Sequence, residues 1–535
     1  MARLLQRIST LRKPMDMAAL RAHCHERVQA GEAAQLVDPL LELIEALSDR
    51  VQRLELQVAR LQKAQYGRRS EKLSCAQLHL SLEQAPPPLL PEPLSELPTE
   101  PEPLPASGPR PPKAPRKKTR QIPEHIPRIV TLSEPSAEQK VCSDCGADKH
   151  LIGSEPSEVL EWEPGGFRVE VTERRKYACR ACQSGVVMGP GPERVLEQAM
   201  PGAGLVAEVI VRKIKDHCPL ERQSRIYSER FSVPLSASTL GEWMAGGADL
   251  LTPVARRLRE QALSREHLSL DDTPVRVLDP AHPKGVKRGH LWSFVSDGPE
   301  VAFEYTPDWS GAPICKLLAD YGHTLQSDGY AGLDALYQKE SAPVRAGCLA
   351  HARRKFVAAL EAGDLRAAFP LHLIQQIYVL ERQATQQGCD AAERLRRRQQ
   401  YAEPRMQELR RQVEALGAQA PPKTPLGRAI TYLLRQWEPL TVFLRDGAQR
   451  IDNNHTERTL RPVAVGRKNW LFAGSDEGAR RLAVLYTVVA SCEAAGLRDP
   501  WQYLRDVLTR LSRGWPQARL DELLPRNWQA AGRGA

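Results

Sequence analysis

The chain has 535 residues, a length that calls for several domains rather than one. Lys and Arg outnumber Asp and Glu by 75 to 65, a net charge of +10, which suits nucleic acid or an acidic membrane surface without choosing between them. Aromatics at 5% argue against a base-stacking single-strand binder, no apolar run reaches the roughly 18 residues of a spanning helix, and the start lacks the apolar stretch of a secretory signal.

Residues 1 to 37 are charged and weakly periodic. Asp38-Pro39 then reads as a helix start, with Asp as N-cap and Pro at the first helical position. Leu40, Leu47, Leu54 and Leu61 recur every seven residues, and Ile44, Val51 and Val58 follow the first three by four. Leu at d with β-branched residues at a favours a parallel two-stranded coil, so the span 36–66 is expected to be a leucine-zipper that pairs two chains. Thirteen prolines fall between Pro86 and Pro115, a density no packed element survives. The span 84–128 therefore reads as a semi-stiff linker that ends in a basic arm, Arg110, Lys113, Arg116, Lys117, Lys118 and Arg120.

Eleven Cys, an odd number spread over a long chain, do not make a disulfide framework and point to a reducing compartment. Four of them form two pairs, Cys142-Ser-Asp-Cys145 and Cys179-Arg-Ala-Cys182, thirty-three residues apart. Each pair presents two thiolates on one knuckle, and two knuckles make a closed tetrahedral site for a structural Zn²⁺. Between them a period-2 pattern predicts a hairpin: Leu160 and Trp162 on one face, a turn at Pro164-Gly165-Gly166, then Phe167, Val169 and Val171. The span 129–190 is expected to be a zinc-binding domain.

Residues 200–250 read as short helices that carry Arg212, Lys213, Lys215, Arg222, Arg225 and Arg230, a helix-turn-helix-like region, with Ser236 or Ser238 as the cap of the third. From 265 to 345 the pattern turns to strands, a helix near Ala312 to Tyr321, and another strand. The segments His267 to Asp271 and Pro274 to Leu278 read as separate strands, so Asp271-Asp272-Thr273 is placed at a strand end, and Asp328 at the end of another. Residues 348 to 440 are almost wholly helical. Asp452-Asn-Asn-His-Thr-Glu457 opens a further helix, and two helices near 476–495 and 501–511 follow. Two strand carboxylates and one acid on a following helix can hold two divalent cations about 4 Å apart, the arrangement for in-line phosphoryl displacement, and hard oxygen ligands select Mg²⁺ or Mn²⁺.

Asp271-Asp-Thr-Pro-Val, Leu325-Gln-Ser-Asp328-Gly-Tyr-Ala-Gly, Cys348-Leu-Ala-His351-Ala-Arg-Arg-Lys-Phe356, Asp452-Asn-Asn-His-Thr-Glu457-Arg-Thr-Leu-Arg461-Pro and Gly466-Arg-Lys-Asn-Trp-Leu-Phe472 together resemble the transposases of the insertion-sequence-66 family, TnpC type. Nearly the whole chain follows the family's order, including Arg68-Arg-Ser-Glu-Lys72 after the zipper. The resemblance implies a multidomain α/β protein whose catalytic domain, 260–490, is ribonuclease-H-like with a helical insertion at about 360–440, and whose 491–535 region is helical. It implies a DDE transposase with Asp271, Asp328 and Glu457 as the metal-binding catalytic triad. The family's usual Glu after the first Asp is Asp272 here, and its usual Trp is Leu349. Neighbouring strand residues point to opposite faces, so one of Asp271 and Asp272 meets the metal, and the motif favours Asp271.

Arg353, Arg354, Lys355, Arg458, Arg461, Arg467 and Lys468 lie near the acids in sequence and are expected to contact DNA phosphates. The partners expected are double-stranded DNA, a second copy of the chain, and companion proteins encoded by the same element, in a bacterial cytoplasm at the nucleoid. The competing expectation is a dimeric zinc-containing DNA-binding regulator without catalysis, which leaves three ordered acid motifs unexplained.

Overall fold

The computed structural model describes residues 122–181, 185–197 and 199–528, with a few scattered residues before 86. The zipper span 36–66, Cys182 and almost all of the linker as far as residue 121 lie outside the described residues. The chain divides into two compact units. One holds His351–Cys389 and Arg397–Arg435, the other Pro98–Ala350, Asp390–Arg396 and Gln436–Ala535.

The larger unit begins with strand β1 (Arg128–Ser133), then the long pair β2 (Lys149–Glu163) and β3 (Gly166–Cys179), and short β4 (Val187–Met188). β2 and β3 are antiparallel with Glu163 opposite Gly166, so Pro164-Gly165 is a two-residue turn at the expected place. Gly165 adopts φ +116°, which a side chain would resist. Cross-strand pairs Trp162–Phe167 and Leu160–Val169 make the hairpin's apolar end.

That end is covered by α1 (Ala203–Ile214), α2 (Leu220–Phe231) and α3 (Ala237–Leu263). Trp162 and Phe167 pack edge-to-face at 5.0 Å, and Tyr227 and Phe231 of α2 close the cluster. Buried Glu161 accepts the Leu205 amide at 2.8 Å, which serves an orphan donor of the first turn of α1. Burial raises the pKa of Glu161, against the pull of the amides it accepts. Ser236, not Ser238, caps α3 through the Thr239 amide. α3 runs past residue 250 to Leu263, through Pro253, because its apolar positions Leu251, Val254, Ala255 and Leu258 continue the buried face.

A five-stranded sheet follows: β5 (His267–Leu278), β6 (Val286–Ser296), β7 (Val301–Thr306), β8 (Thr324–Gln326) and β9 (Val344–Ala346), in the order β7-β6-β5-β8-β9. β5, β6 and β7 pair antiparallel, whereas β8 joins β5 and β9 in parallel. α4 (Ala312–Leu317) lies between β7 and β8. The expectation of a strand end at Asp271-Asp272 is corrected: β5 is one continuous strand, paired to β6 from Leu268 to Leu278. Pro274 does not break it. β8 pairs β5 only at 267–269, so the proline stands where that edge carries no strand, and β6 lies on the other side.

Beyond the sheet come α5 (Leu349–Glu361), α6 (Ala368–Gln386), α7 (Ala391–Arg397), α8 (Glu403–Gly417), α9 (Pro425–Arg435) and α10 (Trp437–Thr441). Then α11 (Asn454–Trp470), α12 (Asp476–Ala494) and α13 (Pro500–Ser512) complete the larger unit, which also holds α10 and most of α7. Alternate residues of β5 serve two cores. Val275 and Val277 join Leu460, Val463 and the helices after them, whereas Leu268 and Leu270 pack with Trp292, Phe294 and Ile314. α12 also blunts the sheet's edge: Ser491 and Thr487 hydroxyls accept the β7 amides of Val301 and Phe303 at 3.1 and 2.8 Å. No helix among the described residues is long and apolar enough to cross a membrane.

Candidate metal centres and nucleic-acid interface

The three motif acids come from three elements of the larger unit. Asp271 comes from the middle of β5, Asp328 from the turn two residues past β8, and Glu457 from the first turn of α11. Asp328 Oδ1 accepts the Tyr330 amide at 3.0 Å, and Gly329 between them takes φ +87°, so the chain turns sharply as it leaves the sheet. Burial first, then the charges of Asp328, Glu457 and Asp272, push the Asp271 carboxyl up to about 7; the Asp272 amide at 2.9 Å offsets part of this. Like charges facing a half-buried carboxylate are costly unless a cation lies between them, and carboxylate oxygens suit a hard divalent ion.

Asp272 faces the other side of the sheet. Its Oδ2 pairs with His290 Nδ1 and its Oδ1 accepts from Trp309 Nε1 at 3.2 Å. Trp309 is stacked on His290 and on Tyr330 with centroids 5.6 and 4.8 Å apart. Asp272 is thus a hydrogen-bonded partner in an aromatic stack.

Several residues that hold the acids were missed by sequence reasoning. Buried Gln326 donates to the Gly347 and Arg450 carbonyls at 2.9 and 2.8 Å, and so ties β8 to the segments before α5 and α11. Cys348 donates to Asn453 Oδ1 at 3.0 Å and receives the Asn453 amide at 3.3 Å, one residue before α11 begins. Gln326 and Asn453 each stand within four residues of a motif acid, but a polar side chain in a short motif does not announce that it is buried.

The basic residues separate. Arg461 and Lys468 are exposed on α11, four and eleven residues after Glu457, hence on its face of the helix. Arg458 is exposed on a neighbouring face. Arg467 is half-buried, and its guanidinium donates to Thr273 Oγ1 at 2.7 Å and to the Pro274 carbonyl. It fastens α11 to β5 two residues from Asp271. Arg467→Met is expected to cost about 1.5–3 kcal/mol, the scale of charged hydrogen bonds. Differential scanning fluorimetry should show a melting point several degrees lower, with DNA affinity changed less than twofold. Arg353, Arg354 and Lys355 lie on α5 in the smaller unit, where the Lys355 ammonium sits 4.6 Å from the Tyr432 ring. His455, two residues before Glu457, is held down to about 4 by burial and then by Arg450 and Arg458, so it is neutral at pH 7.

At the far end of the hairpin, Cys142, Cys145 and Cys179 bring their sulfurs within 4.8 Å of one another. Cys142 to Gly146 form a knuckle: the Gly146 amide meets the Cys142 carbonyl at 2.9 Å, and Gly146 takes φ +70°. Three convergent thiols with this knuckle fit Zn²⁺.

Residues 198–481 match the family described as Transposase IS66 family. Residues 139–183 match its zinc-finger binding domain, 487–526 the IS66 C-terminal element, and 53–131 a family described as Transposase C of IS166 homeodomain. Two relatives come from Sinorhizobium fredii (strain NBRC 101917 / NGR234). Uncharacterized protein y4qI is 32% identical over 97% of this chain and 96% of its own length. Uncharacterized protein y4jD is 34% identical over 76% and 82%. The chain belongs to the IS66 family of transposases.

Proposed function

We propose that this protein is a DDE-type DNA transposase that cuts the ends of its insertion sequence and joins them to target DNA. The observation that carries the reading is the effect of the Asp328 and Glu457 charges, which push up the carboxyl of half-buried Asp271. The sheet order, three antiparallel strands followed by two parallel ones, supports a ribonuclease-H-like core.

Asp271, Asp328 and Glu457 would hold two Mg²⁺ or Mn²⁺ ions. When bound, the pair supplies polarisation of the attacking and leaving oxygens of an in-line displacement at phosphorus. The three carboxylates fix where that displacement occurs. Gln326, Cys348 and Asn453 keep the β8 and α11 acids in register, and Arg467 keeps α11 on β5. Arg461 and Lys468 extend from Glu457 along one helix face for about 17 Å, in reach of phosphates beside the scissile one. Water is the nucleophile of cleavage and the exposed 3′-hydroxyl that of joining. Each step exchanges one oxygen on phosphorus for another, so neither needs an external energy source.

A strand-transfer assay with element-end DNA tests the reading. The transposase makes joined product, a nuclease of the same fold stops at cleavage, and a regulator does neither. Two ends must be held together, and the heptads at 36–66 suit that task; the match at 53–131 overlaps them. Leu54→Lys would bury an unpaired ammonium at the seam at a cost of several kcal/mol. Sedimentation should then show fewer dimers, and end-pairing should fall, while single-end binding persists. Pairing equal to the parent's would mean that the helix packs within one chain.

A further inference from the structure

The outer half of the β5–β6 hairpin carries a charge arrangement that the metal site does not use. Arg276 and Arg288 stand directly opposite each other on the antiparallel ladder, so their side chains leave the same face of the sheet. Both are exposed, and neither guanidinium forms an ion pair or hydrogen bond among the described residues. Like charges placed opposite each other destabilise a sheet. The acids on the same hairpin are already engaged: Asp272 with His290 and Trp309, Asp279 with Lys287 at 3.4 Å.

The Arg276 guanidinium lies 5.9 Å from the Phe472 ring. Phe472 is brought there by an unusual exit from α11. Leu471 takes φ +59° so that Ala473 can bond Arg276 and Leu278 backbone at 2.8 and 2.9 Å. A β-carbon residue in that region is strained, and Leu471 is also 55% exposed. The strained turn therefore seats an aromatic ring against one of two uncompensated guanidinium groups. Leu278 and Trp309, both exposed, rim the same face.

We infer that Arg276 and Arg288 form a duplex-DNA contact on the face of the sheet opposite Asp271, gripping phosphates away from the scissile one. β5 residues 271 and 276 differ by one in parity, so the two sites lie on opposite faces, roughly 17 Å apart along the strand. Two adjacent guanidinium groups without carboxylates suit a polyanion with closely spaced charges, and the apolar rim suits the sugar edges of a groove. The inference rests on the DNA-cutting function proposed above.

The test is fluorescence anisotropy of a random-sequence 30-bp duplex with the full-length protein, across a salt series. Each neutralised phosphate contributes about −0.9 to the slope of log affinity against log salt. Arg276→Gln/Arg288→Gln should therefore flatten the slope by about 1.8, roughly sixtyfold weaker binding at 0.1 M salt if the lines converge near 1 M. Arg276→Lys/Arg288→Lys, which keeps both charges, should retain most of the slope. Loss of the like-charge repulsion predicts a melting point of the Gln variant equal to or above the parent's, which separates lost contact from lost fold. An unchanged slope in a Gln variant of a parent that cleaves DNA overturns this inference alone. A parent that neither binds nor cleaves DNA overturns the function and the inference together.

Discussion

An Asp328→Asn protein should cleave element-end DNA about a thousandfold more slowly than the parent, or worse, while binding that DNA within about twofold. The amide has nearly the carboxylate's shape and keeps an oxygen to accept the Tyr330 amide, so the turn after β8 survives. What it loses is a charge aimed at the site that crowds Asp271. Stabilisation of developing charge by bound divalent ions is worth several kcal/mol, and each 1.36 kcal/mol is tenfold in rate. Asp271→Asn and Glu457→Gln should fail to the same degree, because each removes one side of a shared site. Asp272→Asn should not. Its partners are His290 and Trp309, across the sheet, and its loss should appear in melting temperature more than in cleavage. Parent-like cleavage by Asp328→Asn, followed as nicked product on a denaturing gel, would remove the acids from the mechanism.

The second large effect is expected at the thiol knuckle. Cys179 is buried at the end of β3, with its sulfur 3.5 Å from that of Cys145. Apparent binding energies of structural Zn²⁺ sites are about 10–16 kcal/mol, and in small modules that energy is folding energy. Cys179→Ser should therefore lose the metal and unfold the Cys end of the hairpin. The Trp162–Phe167 end should stay folded, because its ring cluster with Tyr227 and Phe231 lies with the helices. Metal analysis of the purified full chain should find about one zinc in the parent and none in Cys179→Ser. DNA binding should fall while hydrolysis of bound DNA persists. A parent prepared without chelator that contains no zinc would refute the site.

The hairpin was legible because its signal is local. Alternation from Leu160 to Val171 around Pro164-Gly165 fixes both the strands and the turn, and a two-residue period needs no tertiary information. The position of Asp271 within its strand was not legible. Pro274 reads as a break until β8 is seen to end its pairing at residue 269 and leave the edge unpaired at the proline. The partners of Arg467 were not legible for a related reason, since only the packing of α11 on β5 brings Thr273 and the Pro274 carbonyl to its guanidinium. α3 crossed the expected boundary at 250 because its buried stripe continues to Leu258, and Pro253 does not stop a helix whose neighbours are held by packing. The Arg276–Arg288 opposition was hidden because it depends on strand register, which composition and spacing do not give.

The central claim is that Asp271, Asp328 and Glu457 form one divalent-cation site. Electron paramagnetic resonance titration of Mn²⁺ into full-length protein with duplex DNA tests it most directly. The parent should take up about two Mn²⁺ ions more than a protein carrying Asp271→Asn, Asp328→Asn and Glu457→Gln together. Equal uptake by both proteins would contradict the site and, with it, the mechanism built on these three carboxylates.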